Sequence, residues 1–141
     1  MEFRDAETEN DLAILAKMNL YLIRDEGHRN TMDESQLKER MKSWLSSDYK
    51  AVLFSENNEP IGYALWRKDE EFLYVRHFYI RPEDRGKGLG KAAFHWLRQN
   101  KWSQELQLRL EVLIGNQAGI AFWRAVGFED YCITMEFRND A

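Results

Sequence analysis

Three glycines in five residues, Gly86, Gly88 and Gly90, stand where a strand-like run gives way to helical spacing. Upstream, Glu71 to Ile80 is rich in aromatic and branched side chains, and Arg81-Pro82-Glu83-Asp84 supplies a turn. Downstream, Leu89, Ala93, Trp96 and Leu97 recur as one helix face. Glycine inside a helix costs up to about 1 kcal/mol relative to alanine, so the cluster makes sense if something must approach the backbone closely. Bare amides at a helix N-terminus, with the dipole behind them, form an anion site. Arg81, Arg85, Lys87 and Lys91 add four positive charges to this stretch of a chain whose net charge is −4. A phosphate-bearing ligand is implied, a pyrophosphate above all. The competing account is a tight turn with solvated basic residues.

The rest of the pattern places that junction in a single domain spanning residues 1–141. Glu2 to Asp5 reads as a short strand. Thr8-Glu9-Asn10-Asp11 opens a helix carrying Leu12, Leu15, Asn19 and Leu22 on one face and ending near Gly27. Asp33 to Gln36 opens a second, with Leu37, Met41, Trp44 and Leu45 as its stripe. Tyr49 to Ser55 and Ile61 to Arg67 flank Glu56-Asn57-Asn58-Glu59 as a hairpin. Leu106 to Leu113 alternates as a strand, Gln117 to Val126 is a short helix closed by Gly127, and Tyr131 to Phe137 is a last strand. The order β-α-α-β-β-β-α-β-α-β predicts an α+β domain: a mixed, mostly antiparallel sheet flanked by helices.

Composition excludes several classes. With 24 acidic against 20 basic residues, the chain lacks the basic excess that nucleic-acid binding needs, and its negative field favours a cationic small substrate. Cys132 is the single cysteine, so neither an internal disulfide nor a multi-cysteine metal site is expected. No apolar run reaches membrane-spanning length and the N-terminus lacks a signal-peptide core, so a soluble cytoplasmic protein with no membrane partner is expected. A Walker loop is ruled out because Ala92 follows Gly90-Lys91. Gly88-Leu89-Gly90-Lys91-Ala92-Ala93 does satisfy the looser dinucleotide pattern, but the chain is too short for two mononucleotide halves. A dinucleotide-binding domain stays open as the rival.

Arg85-Gly86-Lys87-Gly88-Leu89-Gly90 resembles the [Arg/Gln]-x-x-Gly-x-[Gly/Ala] coenzyme A signature of GNAT acetyltransferases. A second block agrees. Leu108-Arg109-Leu110-Glu111-Val112, Asn116, Ile120-Ala121-Phe122-Trp123 and Gly127-Phe128 are similar to that family's strand-five and following-helix segment. The resemblance implies the GNAT acyl-CoA N-acyltransferase fold, with splayed fourth and fifth strands. It implies acetyl-CoA as acyl donor, no metal, and an amine of a small molecule or protein as acceptor. Phe78, Tyr79 and Ile80 would offer backbone to the pantetheine arm, Arg85 and Gly86 through Lys91 would hold the pyrophosphate, and Asn116 would bond the pantetheine amides. A homodimer is common in the family, though no interface is legible in this sequence.

Direct attack by an amine sets the chemical demand. Deprotonating a lysine-like amine at pH 7 costs roughly 4.6 kcal/mol, against about 1 for an α-amino group, so a general base is worth having. Glu111 matches the family's strand-five glutamate; the plain alternative is an exposed strand carboxylate. His77 is a second candidate, alternatively a half-buried sheet residue. Many relatives carry a tyrosine where Trp123 stands, and tryptophan has no proton to give the leaving thiolate. Trp123 is therefore expected to pack against cofactor or sheet, with Tyr131, Tyr79 or a water as substitutes, or with no acid at all. For the acceptor, Asn19, Asp25 and Glu26 lie on or beside the first helix, in a family region that contributes to the acceptor pocket. A catalytically silent acyl-CoA-binding sensor is the remaining alternative.

Overall fold

The computed structural model describes residues 1–139. The elements are β1 (Glu2–Asp5), α1 (Glu9–Glu26), α2 (Glu34–Leu45), β2 (Tyr49–Glu56), β3 (Glu59–Lys68), β4 (Phe72–Ile80), a 3-10 turn (Pro82–Asp84), α3 (Leu89–Asn100), β5 (Gln107–Arg109) and α4 (Gln117–Ala125). The sheet runs β1-β2-β3-β4-β5. Its first three pairings are antiparallel and β4 with β5 is parallel. This is the mixed, mostly antiparallel α+β architecture the pattern predicts.

Local chemistry accounts for the boundaries. Thr8 and Asp11 form a reciprocal capping box at the start of α1, and Asp33 with Gln36 repeats it at α2. Asp11 also accepts hydrogen bonds from Glu7 N at 2.8 Å and Arg4 at 2.8 Å, which ties β1 to α1. Gly27, at φ +68°, ends α1 in the left-handed conformation. Asn57 and Asn58, both at positive φ, turn the β2–β3 hairpin in two residues.

The alternating faces of β2 and β3 build two cores. Val52, Phe54, Ala64 and Trp66 pack with Phe94 and Leu97 of α3. Leu53, Tyr63 and Leu65 pack with Leu15 and Leu22 of α1 and Met41 of α2.

One irregularity positions the site. Leu65 pairs with His77 but Trp66 pairs with Val75, so Arg76 is an extra residue in β4. Such a bulge bends its strand and interrupts the ladder. The β4–β5 pairing runs from Phe72↔Gln107 only to Tyr74↔Arg109, stopping just before the bulge. Beyond it the two chains separate. For the same reason β5 is shorter than the expected Leu106–Leu113: past Arg109 the alternating residues have no strand beside them. The expected last strand, Tyr131–Phe137, forms no ladder among the described residues and lies exposed.

Candidate active site

The wedge opened between β4 and β5 is the candidate site. Val75, Arg76 and Phe78 form one wall; Leu110, Glu111 and Val112 form the other. Asn116 and Trp123 close one end, and Glu26 reaches in from the C-terminal end of α1. Because β4 loses its parallel neighbour after Tyr74, the backbone from Arg76 to Ile80 presents polar groups toward the wedge with no strand to take them. Trp123 packs edge-on against Phe78 at 5.2 Å, Phe122 at 4.9 Å and Phe128 at 5.1 Å. It is a wall of the wedge and offers no titratable proton there. Asn116 Oδ1 caps α4 by accepting from Gly119 N at 3.0 Å, leaving its amide N–H groups for other use.

The start of α3 lies at the end of β4. Three of the four α-helices have side-chain caps, from Thr8, Asp33 and Asn116, whereas α3 begins at Gly88 with none. Its first-turn amides are therefore free to face an anion. The glycines divide the work. Gly86 and Gly88 sit at φ +77° and +79°, where an L side chain is strained. Gly90 is small for another reason: a Cβ there would lie 3.1 Å from Cε1 of Phe122, so it lets α3 pack on α4.

The four cations of this stretch differ in their partners. Arg81 is bonded to Asp84 at 2.6 Å and Glu59 at 2.7 Å. Arg85 donates to the Ile80 carbonyl at 2.7 Å and pairs with Asp25. Lys87 and Lys91 are exposed and have no carboxylate partner among the described residues. The local positive charge left for a phosphate is thus theirs, together with the uncapped amides.

The titratable candidates separate. Glu111 lines the wedge, and its Oε1 accepts from the Tyr74 hydroxyl at 2.9 Å, while Tyr74 itself is pushed up to about 12 by burial and this bond. Glu26 has its pKa raised by loss of hydration, then by the charge of Asp25. His77 does not line the wedge: Nδ1 is 3.0 Å from the Tyr63 hydroxyl and the ring packs edge-on to Trp44. Burial first, then the charges of Arg40 and Arg76, press it down to about 3, so it is neutral near pH 7 and a weak base. Tyr131 is 83% exposed beside Arg109, away from the wedge lining. Tyr79 is buried against the other core and has its pKa raised by burial. Asn19 is fully buried, its Oδ1 accepting from Arg40 at 3.2 Å and its Nδ2 unpartnered. Asp25 is engaged by Arg85 rather than open to a ligand.

The sequence reading missed one cluster. Arg40 comes from α2 and Arg76 from β4, yet both guanidiniums lie over Trp44, at 4.4 Å and 4.7 Å. Neither has a carboxylate partner among the described residues, and their proximity lowers the pKa of Arg40, after desolvation. Arg76 also faces the wedge. The two are far apart in sequence and only the bulge turns Arg76 this way, so no local pattern announces the pair. No group of His, Cys, Asp or Glu among the described residues is arranged to hold a metal ion, and no helix among them is long and apolar enough to cross a membrane.

A splayed β4–β5 pair beside an uncapped, glycine-started helix defines the acyl-CoA N-acyltransferase class of fold. The profile of the Acetyltransferase (GNAT) family matches residues 17–128, and the chain belongs to that family. Solved structures agree at the level of fold. A Clostridium difficile 630 protein described as a possible acetyltransferase superposes with a TM-score of 0.79 at 19% identity, over 98% of this chain and 96% of that one. A Clostridium acetobutylicum protein described as a predicted acetyltransferase, solved with acetyl-CoA, gives 0.73 at 18% identity over 97% and 95%. The aminoglycoside N-acetyltransferase AAC(6')-Iy, solved with CoA, gives 0.74 at 14% identity over 99% and 95%. No curated protein matches the chain.

Proposed function

We propose that this protein is an N-acetyltransferase that moves an acetyl group from acetyl-CoA to a primary amine. The observation that carries the reading is the pairing of an open β4 edge with an uncapped helix start carrying free Lys87 and Lys91. An extended amide-bearing arm ending in a pyrophosphate needs both. Phe78–Ile80 would hold the arm through their backbone, Asn116 would donate to it, and the amides from Gly86 to Lys91 would take the phosphates. When bound, the cofactor supplies the activated acetyl group.

The acceptor enters from the α1 side. Glu26 and Glu111, which both line the wedge, attract its ammonium, and an amine must lose a proton to react. Glu26 is the better proton acceptor, because burial and then the charge of Asp25 raise its affinity for a proton, while an oxygen of Glu111 is already occupied by the Tyr74 hydroxyl. His77 serves position rather than proton transfer. The leaving thiol, with an ordinary pKa near 8.5, departs without an acid from Trp123. Arg40 and Arg76 favour acceptors that carry an anionic group near the amine, and exclude strongly cationic ones from that corner. The domain acts as a soluble protein in the cytoplasm.

Isothermal titration with acetyl-CoA, with NAD and ATP as controls, tests the cofactor assignment. Thiol release on a panel of amines and amino acids then tests turnover. Binding of acetyl-CoA with turnover on at least one amine supports the reading. Binding without turnover on the whole panel points to a sensor, and a response to NAD or ATP alone overturns the acyltransferase assignment.

A further inference from the structure

Two arginines beside the wedge carry positive charge that nothing in the fold neutralises. Arg4, Arg29, Arg67, Arg81, Arg85 and Arg124 each have a carboxylate partner. Arg40 and Arg76 have none among the described residues, although both sit over the ring of Trp44. Arg40 donates to Asn19 Oδ1 at 3.2 Å, and its Nε is buried without a partner. Asn19 is fully buried, and its Nδ2 is likewise unpartnered. Arg76 donates to the Tyr49 hydroxyl at 3.1 Å, an oxygen that Arg67 also reaches at 3.4 Å. Like charges brought together in partly desolvated surroundings repel, and donors left unbonded there are costly. An anion completes such an arrangement.

The rest of the wedge says which anion. Arg76 lines the same cavity as Glu26 and Glu111. That cavity is small, about 40 Å³, so charges of both signs stand close together. A phosphate dianion would meet both carboxylates, and the uncapped start of α3 suits phosphate better. A polyamine or an aminoglycoside would bring further cations against Arg40 and Arg76. A zwitterion satisfies both sides: its ammonium faces the two glutamates and its carboxylate faces Arg76. The planar guanidinium fork matches a carboxylate with two parallel hydrogen bonds.

On the acetyltransferase reading above, on which this rests, we propose that the acceptor is an α-amino acid with a free carboxylate, held through that carboxylate by Arg76. Arg40 is a positioning residue that adds its charge at the same Trp44 ring. The amine nitrogen forms its bond to the acetyl carbonyl carbon as the C–S bond breaks. Of the two protons the ammonium gives up, one leaves through Glu26 to water and one goes to the departing thiolate. The products are an N-acetylamino acid and the free thiol of coenzyme A.

Thiol release is measured with the common L-amino acids, then with the carboxamide and the decarboxylated amine of each one accepted. Removing the carboxylate should lower kcat/KM about 10- to 100-fold, the range for losing a hydrogen bond to a charged group. Arg76→Gln should erase that preference, so that amino acid and carboxamide react equally. Arg76 is exposed, so its replacement leaves the core in place, and circular dichroism checks the fold. Arg76→Lys, which keeps the charge without the fork, should restore part of the preference. Arg40→Gln should raise KM for the amino acid and leave kcat, whereas a loosened fold would change both. Carboxamides or plain amines accepted as well as amino acids, or a preference that survives Arg76→Gln, overturn the proposal and leave the acetyltransferase reading standing. So does binding of acetyl-CoA with no amino acid turned over. Absence of acetyl-CoA binding overturns the acetyltransferase reading itself, and this proposal with it.

Discussion

Replacing Gly88 with alanine isolates what the start of α3 contributes. Gly88 sits at φ +79°, and a Cβ there meets nothing within 4 Å, so the cost is conformational rather than steric. Holding an L-residue in the left-handed region costs about 1–2 kcal/mol. For a domain of this size that lowers Tm by about 3–8 °C. If the backbone escapes the strain by moving to negative φ, the amides of Leu89, Gly90 and Lys91 turn with it. Each hydrogen bond to a charged group contributes about 1.5–3 kcal/mol, and 1.4 kcal/mol is tenfold in affinity. Loss of one such bond therefore raises the Kd for coenzyme A by about 10- to 100-fold in isothermal titration. Gly127→Ala is the control, since Gly127 is also at positive φ with no atoms within 4 Å, but follows α4. It should lose comparable stability and keep its affinity. Equal affinity loss in both variants, or a destabilised Gly88→Ala with unchanged Kd, refutes the assignment of the phosphates to this helix start.

Two further perturbations test other parts. Asp11 is 2% exposed and accepts from Arg4, Glu7 N and Thr8 N, so Asp11→Ala should cost about 2–4 kcal/mol in denaturant unfolding through a lost cap and charge-assisted bonds. Arg4 holds the Asp11 carboxyl well below the usual range; its contribution is full above the unfolded value near 3.9 and lost as pH falls further, so the wild-type advantage should shrink below about pH 4. Glu26→Gln should lower kcat/KM and abolish the acidic limb of its pH profile, which in the wild type lies above the ordinary glutamate value because burial and Asp25 raise it. A retained acidic limb in that variant would move the base to Glu111.

The element order as far as α4, the caps at Thr8 and Asp33, and the glycines at Gly86 and Gly88 were legible in the sequence because each depends on residues within a few positions of one another. So was the glycine start of α3, since left-handed turns are local properties. Tertiary structure alone decided the rest. The bulge at Arg76 depends on how β4 registers against β3, and it sets where the wedge opens. Asp25 is engaged by Arg85, sixty positions away, and His77 is kept neutral by burial and then by arginines from two elements, neither of which spacing along the chain can reveal. Nor can alternation choose a strand's neighbour: Tyr131–Phe137 carries a β pattern, but backbone donors need a second edge, and no edge within the described chain meets it. A periodic sequence states which face wants burial, and only packing supplies the surface that buries it.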